Sequence, residues 1–511
     1  MLARALCYAL TGIEGCAVTV ETDISGGDFS FAMVGLPDAA VRESRERVYA
    51  AIKNSGFAVP NGHITINLSP GDLKKEGAAF DLPIALSMIA ASRQTALGDL
   101  SNTLTLGELG LDGTLVPVRG VLSMVIAARE QGVTSVILPE GNAAEVQAVE
   151  GMYVYPAVSL KQVIEHLNGK MPLTAQCQRS YSQCLSERKE QFDLAQVKGQ
   201  QGARRALEIA AAGAHNMLMI GVPGSGKTML ARCLPGILPD MTVDEAFEVT
   251  RIHSVAGLIA PGQGMITSRP FRTPHHSASM PALVGGGTDA RPGEISLAHN
   301  GVLFLDELPE YPRTVLEALR QPLEDGAVTI SRSHAHTRYQ CRTMLIAGMN
   351  PCPCGYYGSR TRECRCTDRD IRRYLDRISG PMLDRIDLQI EVDAVSVSEI
   401  QTSAPSESSA EVKKRVQAAR DIQQKRLENT GMHANAQMDN KAIEQFCRLD
   451  AAGRQLMEKA VDKMHLSMRG YQRVLKVSRT IADLAGDENI TVRHLAEAIQ
   501  YRTVDSKYWN R

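Results

Sequence analysis

The stretch Gly221-Val222-Pro223-Gly224-Ser225-Gly226-Lys227-Thr228 constrains this 511-residue chain more than any other. An apolar, strand-like run, Met217 to Ile220, enters it, and a helix-compatible stretch, Thr228 to Leu234, leaves it before Pro235 interrupts. Strand, glycine-rich turn, Lys-Thr and helix, in that order, form the pattern Gly-x-x-x-x-Gly-Lys-Ser/Thr, which wraps the phosphates of a nucleotide such as ATP. Glycines let backbone N–H groups converge on the anion. Lys227 reaches the β- and γ-phosphates, and the Thr228 hydroxyl can hold Mg²⁺.

A loop of this kind needs partners at the carboxyl ends of neighbouring parallel strands, where the ligand crevice of an α/β sheet lies. Val302 to Leu305 is a β-rich apolar run ending in Asp306-Glu307, so Asp306 is expected to complete the Mg²⁺ site and Glu307 to polarise an attacking water. Arg342 to Ala347 reads as a second buried strand, and Asn350 beyond it can orient that water against the γ-phosphate. Between these strands a helix is expected over Thr314 to Leu323. Val328 to Ile330 and Arg338 to Cys341 read as hairpin arms, with Ser331, Arg332, His334 and His336 near the tip. The segment Ala256 to Gly293, dense in Gly, Pro, Ser and His, is read as a long functional loop. His275-His276 within it has no third metal ligand at a useful spacing. Thr242-x-x-Glu245 has the spacing of a capping box and opens a helix reaching about His253.

Cys352-x-Cys354 and Cys364-x-Cys366 place four thiols within fifteen residues, enough to surround a tetrahedral Zn²⁺. Free thiols in an exposed loop are the alternative. Tyr356, Tyr357, Arg360, Arg362, Arg365, Arg369, Arg372, Arg373 and Arg377 surround them. That mixture suits phosphate contact and base stacking, while Glu363, Asp368 and Asp370 leave an internal ion-pair network open.

Length predicts two to four domains. With 56 Lys and Arg against 57 Asp and Glu, no global field announces a nucleic-acid partner, so any such contact is a local basic patch. No run of 18 apolar residues exists to span a membrane. The short apolar segment Met1 to Ile13 is cut by Glu14 and lacks a clear cleavage site, which argues against a signal peptide. Eleven unevenly spaced cysteines suit a reducing cytoplasm better than a disulfide framework. Residues 1–170 read as an α+β domain with strands over Cys16 to Glu21, Phe29 to Val34 and His63 to Leu68, and a helix capped by Asp38. Leu104 to Leu109 and Leu115 to Val118 read as a hairpin turning at Asp112-Gly113. Residues 171–192, with Glu187 and Lys189, read as a polar linker, 193–395 as the nucleotide-binding core and 396–511 as helical.

Val34-Gly35-Leu36-Pro37-Asp38, Gly77 to Pro83 and Gly113 to Gly120 make the front region resemble the domain shared by Lon proteases and magnesium-chelatase-like proteins. The Lon serine and lysine positions fall near Ala79 and Met124, which offer neither nucleophile nor base. The ordered set of phosphate loop, insert, Asp-Glu strand, hairpin, Asn-ended strand, Leu383-Asp384-Arg385 and helical lid resembles an AAA+ ATPase of the magnesium-chelatase branch. With the Lon-like front and Asn350-Pro351-Cys352-Pro353-Cys354-Gly355, the chain is similar to the ComM (YifB) family.

That resemblance implies a homohexameric ring, ATP-driven branch migration on single-stranded and branched DNA without sequence preference, and work beside recombination machinery during natural transformation. It places the helix-2 insert in Ala256 to Gly293 and the pre-sensor-1 hairpin in Gly326 to Arg342. It implies that Arg385 is an arginine finger given in trans and that Arg469 is the lid's sensor-2 arginine, with Arg473 next in line. A metal-chelatase motor and an AAA+ protein-remodelling factor share the same core and remain alternatives.

Overall fold

The computed structural model describes residues 2–186, 192–287, 290–332, 335–359, 362–394 and 406–509. Glu187 and Lys189 of the expected linker, His334 of the hairpin tip, Arg360 and residues 396–405 lie outside them. The chain divides into two units, and neither is continuous in sequence: one is Met1–Arg188 with Thr242–Thr267 and Thr329–Tyr339, the other Lys189–Met241, Ser268–Val328 and Gln340–Arg511.

The first unit is built on a seven-stranded mixed sheet. Its order is Ser30–Val34, His63–Ser69, Glu14–Ser25, Leu2–Thr11, Thr103–Thr105, Ser135–Pro139 and Tyr153–Ala157. The segment weighed as a signal peptide is thus a strand, paired antiparallel with Glu14–Ser25 from Leu2↔Asp23 to Thr11↔Glu14. Asp38 caps the helix Ala39–Asn54 through Val41 N at 2.8 Å, which buries Val41, Val48 and Ile52. The expected hairpin is smaller than its sequence pattern, joining only Glu108–Leu109 to Leu115–Val116. Thr103–Thr105 instead runs parallel to Ser135–Pro139, with Leu104 buried. Ala79 and Met124 are both buried in the unit's core.

Helix Val243–Val255 belongs to this unit for physical reasons. Thr242 and Glu245 form the expected capping box. Phe247 packs on the core, Arg251 donates to Ile13 O at 2.9 Å, and Gly120 N donates to Ser254 O at 3.3 Å. Beneath that helix, Glu145 accepts from Leu122 N at 3.1 Å and from Ser254 Oγ at 3.4 Å.

The second unit holds a five-stranded parallel sheet in the order Phe271–Arg272, Val302–Leu305, Met344–Met349, Met217–Ile220, Leu388–Glu391. The reading of Ala256 to Gly293 as one loop is corrected here. Ala256 to Thr267 belongs to the first unit, Phe271–Arg272 is an edge strand, and beyond it stand a short helix, Met280–Val284, and a hairpin of Gly285–Gly286 against Arg291–Pro292. Two residues of strand, Phe271 stacked on Phe304 with ring centroids 6.0 Å apart, are too short to show a period in sequence. The single helix expected over Thr314 to Leu323 is two, Arg313–Ala318 and Arg320–Asp325.

Helices Gln201–Gly213, Lys227–Ile237, Ser409–Arg426 and Met468–Ala485 share one hydrophobic cluster with the sheet. A buried polar knot fastens the C-terminal helices to the strand Leu388–Glu391. Asp387 meets Arg473 and His215, and His215 Nε2 lies 2.8 Å from Thr480 Oγ1. Burial alone would raise the Asp387 pKa, but Arg473, His215 and Lys476 hold it well below the usual carboxylate range. No helix among the described residues is long and apolar enough to cross a membrane.

Burial raises the Glu145 pKa from 4.5 to about 7. The folded chain then keeps a proton that the unfolded chain releases, so this group's contribution is complete below about pH 4.5, declines to about pH 7 and stays flat above. Glu145→Gln is expected to increase amide-exchange protection of Val243–Val255 at pH 8, with a much smaller gain at pH 5. Equal gains at both pH values would contradict the assignment.

Candidate nucleotide site and cysteine cluster

Parallel register sets the site. Ile220 pairs with Met349, and Leu305 pairs with Ala347, so the strands release their next residues at one edge. The phosphate loop starts at Gly221, where an added Cβ would lie 2.3 Å from Val392 O and 2.7 Å from Ser225 Oγ. Gly224 and Gly226 take φ of +77° and +90°, which turns the loop into the helix Lys227–Ile237. Ser225 Oγ is buried without a hydrogen-bond partner, and Lys227 Nζ is held by Gly221 O at 2.7 Å and Val222 O at 3.1 Å. An orphaned hydroxyl and an ammonium held mainly by loop carbonyls fit a cradle for phosphate oxygens. Burial lowers the Lys227 pKa, and Asp306 and Glu307 work against that shift.

Thr228 Oγ1 donates to Asp306 Oδ2 at 2.7 Å, so the two expected Mg²⁺ ligands already touch. Hydroxyl and carboxylate are hard oxygen donors of the type Mg²⁺ takes. Asn350 Oδ1 lies 3.4 Å from Lys227 Nζ. Glu307 sits just past the strand with φ +52°, a left-handed conformation costly for a side-chain-bearing residue. Gly348 makes room for Asp306, since a Cβ there would stand 2.8 Å from Asp306 Oδ1. Lys227, Thr228, Asp306 and Asn350 are therefore linked by direct contacts, and Glu307 adjoins them in sequence.

Two further residues at this edge carried no role in the sequence reading. Gln200 Nε2 donates to Ser225 O at 2.6 Å and supports the loop from behind, while its Oε1 is buried without a partner. His276 Nδ1 lies 3.4 Å from Glu307 Oε2. The Gln200 contact spans 25 residues and follows no motif spacing, whereas His276 lies in the Gly-, Pro- and His-rich stretch already singled out.

Arg385 and Arg469 converge instead on Glu324. The Arg385 side chain is 8% exposed and donates to Pro381 O at 2.7 Å and Arg320 O at 3.1 Å besides its ion pair with Glu324. Arg469 is 56% exposed, 3.7 Å from the other Glu324 oxygen. Arg473 is committed to Asp387.

Cys352, Cys354, Cys364 and Cys366 come together with all four sulfurs within 4.8 Å of one another. Cys352 lies 3.4 Å from Cys354 and 3.7 Å from Cys364, and Cys354 lies 3.6 Å from Cys364. Sulfurs bound at about 2.3 Å around Zn²⁺ define a tetrahedron with edges of roughly 3.8 Å, so the spacing fits that ion. Tyr357 N donates to Cys352 Sγ at 3.3 Å, as a thiolate would favour. The cluster also abuts the phosphate loop: a Cβ on Gly355 would meet Pro223 Cδ at 2.7 Å.

Fold and site together define a P-loop nucleotide-binding domain with a five-stranded parallel sheet. Three family models match the chain: "Magnesium chelatase, subunit ChlI" over residues 193–400, "Subunit ChlI of Mg-chelatase" over 20–142, and "Magnesium chelatase, subunit ChlI C-terminal" over 406–502. The competence protein ComM of Haemophilus influenzae is 46% identical over 502 residues, covering 97% of this chain and 96% of that protein. An uncharacterised Escherichia coli protein, YifB, is 45% identical over 498 residues, again 97% and 96%. A Lon protease of Brevibacillus choshinensis is 24% identical over 177 residues, 32% of this chain and 22% of that protein. The chain belongs to the ComM/YifB family of magnesium-chelatase-like AAA+ proteins.

The sulfur cluster makes a direct forecast. Protein purified without chelator is expected to contain zinc, and replacing the four cysteines by serine is expected to abolish it, as elemental analysis will read. Unmodified protein free of zinc would contradict the assignment.

Proposed function

We propose that this chain is an ATP-hydrolysing motor that moves branched DNA, working as a homohexameric ring to extend the joint between incoming single-stranded DNA and a chromosome. The observation that carries the ATPase part is the convergence of Lys227, Thr228, Asp306 and Asn350, with Glu307 adjoining, at one sheet edge. The DNA part is supported by the near-full-length likeness to a protein named for competence.

In this reading Lys227 leaves its loop carbonyls to pair with phosphate oxygens, and Ser225 Oγ and the loop N–H groups complete the cradle. Thr228 and Asp306 would hold Mg²⁺, which neutralises charge developing on the transferred phosphoryl group. Glu307 accepts a hydrogen bond from the attacking water and polarises it, while Asn350 orients that water. Arg385 serves a neighbouring subunit's γ-phosphate only after its guanidinium leaves Glu324, Pro381 O and Arg320 O, so those contacts must break on assembly. Arg469 shares that carboxylate at 3.7 Å, so a shift of Glu324 acts on both arginines. Cys352, Cys354, Cys364 and Cys366 would hold Zn²⁺ as a structural ion that fixes the loop beside Pro223.

The family description favours a second reading, a motor that drives metal insertion into a tetrapyrrole. A four-way DNA junction separates the two. Wild-type protein with ATP is expected to displace strands from it, and Glu307→Gln is expected to bind nucleotide yet displace none. If neither displaces strands and DNA leaves ATP turnover unchanged, the DNA reading falls and the chelatase reading takes its place.

A further inference from the structure

The arginines downstream of the cysteine cluster have no part in the nucleotide site, and their placement is specific. Helix Asp368–Leu375 starts at a Thr367–Asp370 capping box and buries Ile371, Tyr374 and Leu375, which leaves Arg369, Arg372 and Arg373 on the outside. Two clefts flank this helix. One, of about 950 Å³, lies against Pro309 to Arg313 and is lined by Arg313, Arg369, Arg372, Arg373 and Arg377. The other, of about 200 Å³, is lined by Tyr357, Lys507, Tyr508 and Trp509. Asp368, Arg372 and Asp376 line both, so the two clefts adjoin on either side of these residues.

The larger cleft is lined by five arginines and three carboxylates, Glu310, Asp368 and Asp376. Arg377 pairs with Glu310 at 2.7 Å, and Arg369 and Arg373 also face the charge of Asp370 on the same helix, which leaves five arginines against four carboxylates. Its surplus is positive. The smaller cleft is aromatic: Trp509 packs on Tyr508 with centroids 6.0 Å apart, and Tyr508 meets Tyr357 edge-on at 6.3 Å. Trp509 Nε1 donates to Leu375 O at 3.3 Å, which fixes the half-buried indole to the end of the helix.

Resting on the DNA-motor reading above, we propose that this surface is a binding track for single-stranded nucleic acid: phosphates lie along Arg369, Arg372 and Arg373, and a base stacks on the Trp509 side. Guanidinium groups beside accessible rings are the combination that holds a single strand regardless of sequence, because every base offers a π-face and every linkage a phosphate. A duplex keeps its bases paired, so it could use the arginines alone. The track depends on the same chain segment that carries the cysteine cluster, since Cys366 lies two residues before the helix.

Trp509 is the chain's one tryptophan, so its fluorescence reads this surface directly. Full-length protein is titrated with a short oligo-dT at several salt concentrations, with anisotropy of a labelled oligonucleotide measured in parallel. Binding is expected to change Trp509 emission. Arg372→Ala/Arg373→Ala is expected to weaken binding about tenfold and to lower the log–log salt slope by roughly 1.4, about 0.7 for each phosphate that is no longer neutralised. Arg372→Lys/Arg373→Lys is expected to recover most of the affinity, as charge rather than fold is at stake. If anisotropy shows binding while Trp509 emission is unmoved and the alanine pair binds as wild type does, the track is overturned and the DNA reading stands. If the alanine pair instead loses self-assembly by light scattering with DNA affinity intact, the face is an interface between copies and the proposal fails. Wild type that binds no oligonucleotide overturns both.

Discussion

The hydrogen bond from Thr228 Oγ1 to Asp306 Oδ2, 2.7 Å long, is the contact on which the nucleotide site depends. It joins the helix after the phosphate loop to the end of Val302–Leu305, a strand separated from Met217–Ile220 by Met344–Met349, and the two residues lie 78 apart in sequence. Only parallel pairing makes that possible. Met217–Ile220 lies between Met344–Met349 and Leu388–Glu391, so loop, carboxylates and Asn350 leave the sheet at the same edge. Close approach follows, and glycine is needed where it is tightest, at Gly221 beside Val392 O and at Gly348 beside Asp306.

From this edge outward the structure is a series of restraints on charged groups. Lys227 waits on loop carbonyls, Arg385 and Arg469 wait on Glu324, and Glu307 is set in a left-handed backbone with His276 nearby. Asp387 differs from these. Buried among Arg473, His215 and Lys476, it fixes the C-terminal helices to the sheet, and losing one partner would leave an uncompensated buried charge. Of the restrained groups, Glu307 and Arg469 are exposed and can be exchanged for a ligand or partner at small cost, whereas Lys227 and Arg385 are buried and the Asp387 knot is suited to holding position.

Much of this was legible in the sequence because local patterns carried it. The phosphate loop, the strand ending at Asp306, the Thr242 capping box and the Cys-x-Cys pairs each lie within a few residues and name their own geometry. Long-range contacts were not legible. Nothing local to Val243–Val255 or Thr329–Tyr339 says that they join the front unit, because Arg251 meeting Ile13 and Gly12 facing Thr337 span hundreds of residues. The edge strand Phe271–Arg272 is too brief to alternate, and Gln200 supports the phosphate loop from a turn with φ +52° that its residue type does not announce. Arg385 carried a family role, but its burial against Glu324 became visible only with the fold.

In the proposed reading, nucleotide chemistry at this edge is coupled to DNA. Steady-state ATP turnover by the full-length chain, measured with and without single-stranded and forked DNA, tests it most directly. Turnover is expected to rise on addition of either DNA, and that rise is expected to shrink as salt is raised from low to physiological levels. Turnover indifferent to DNA at every salt concentration would contradict it.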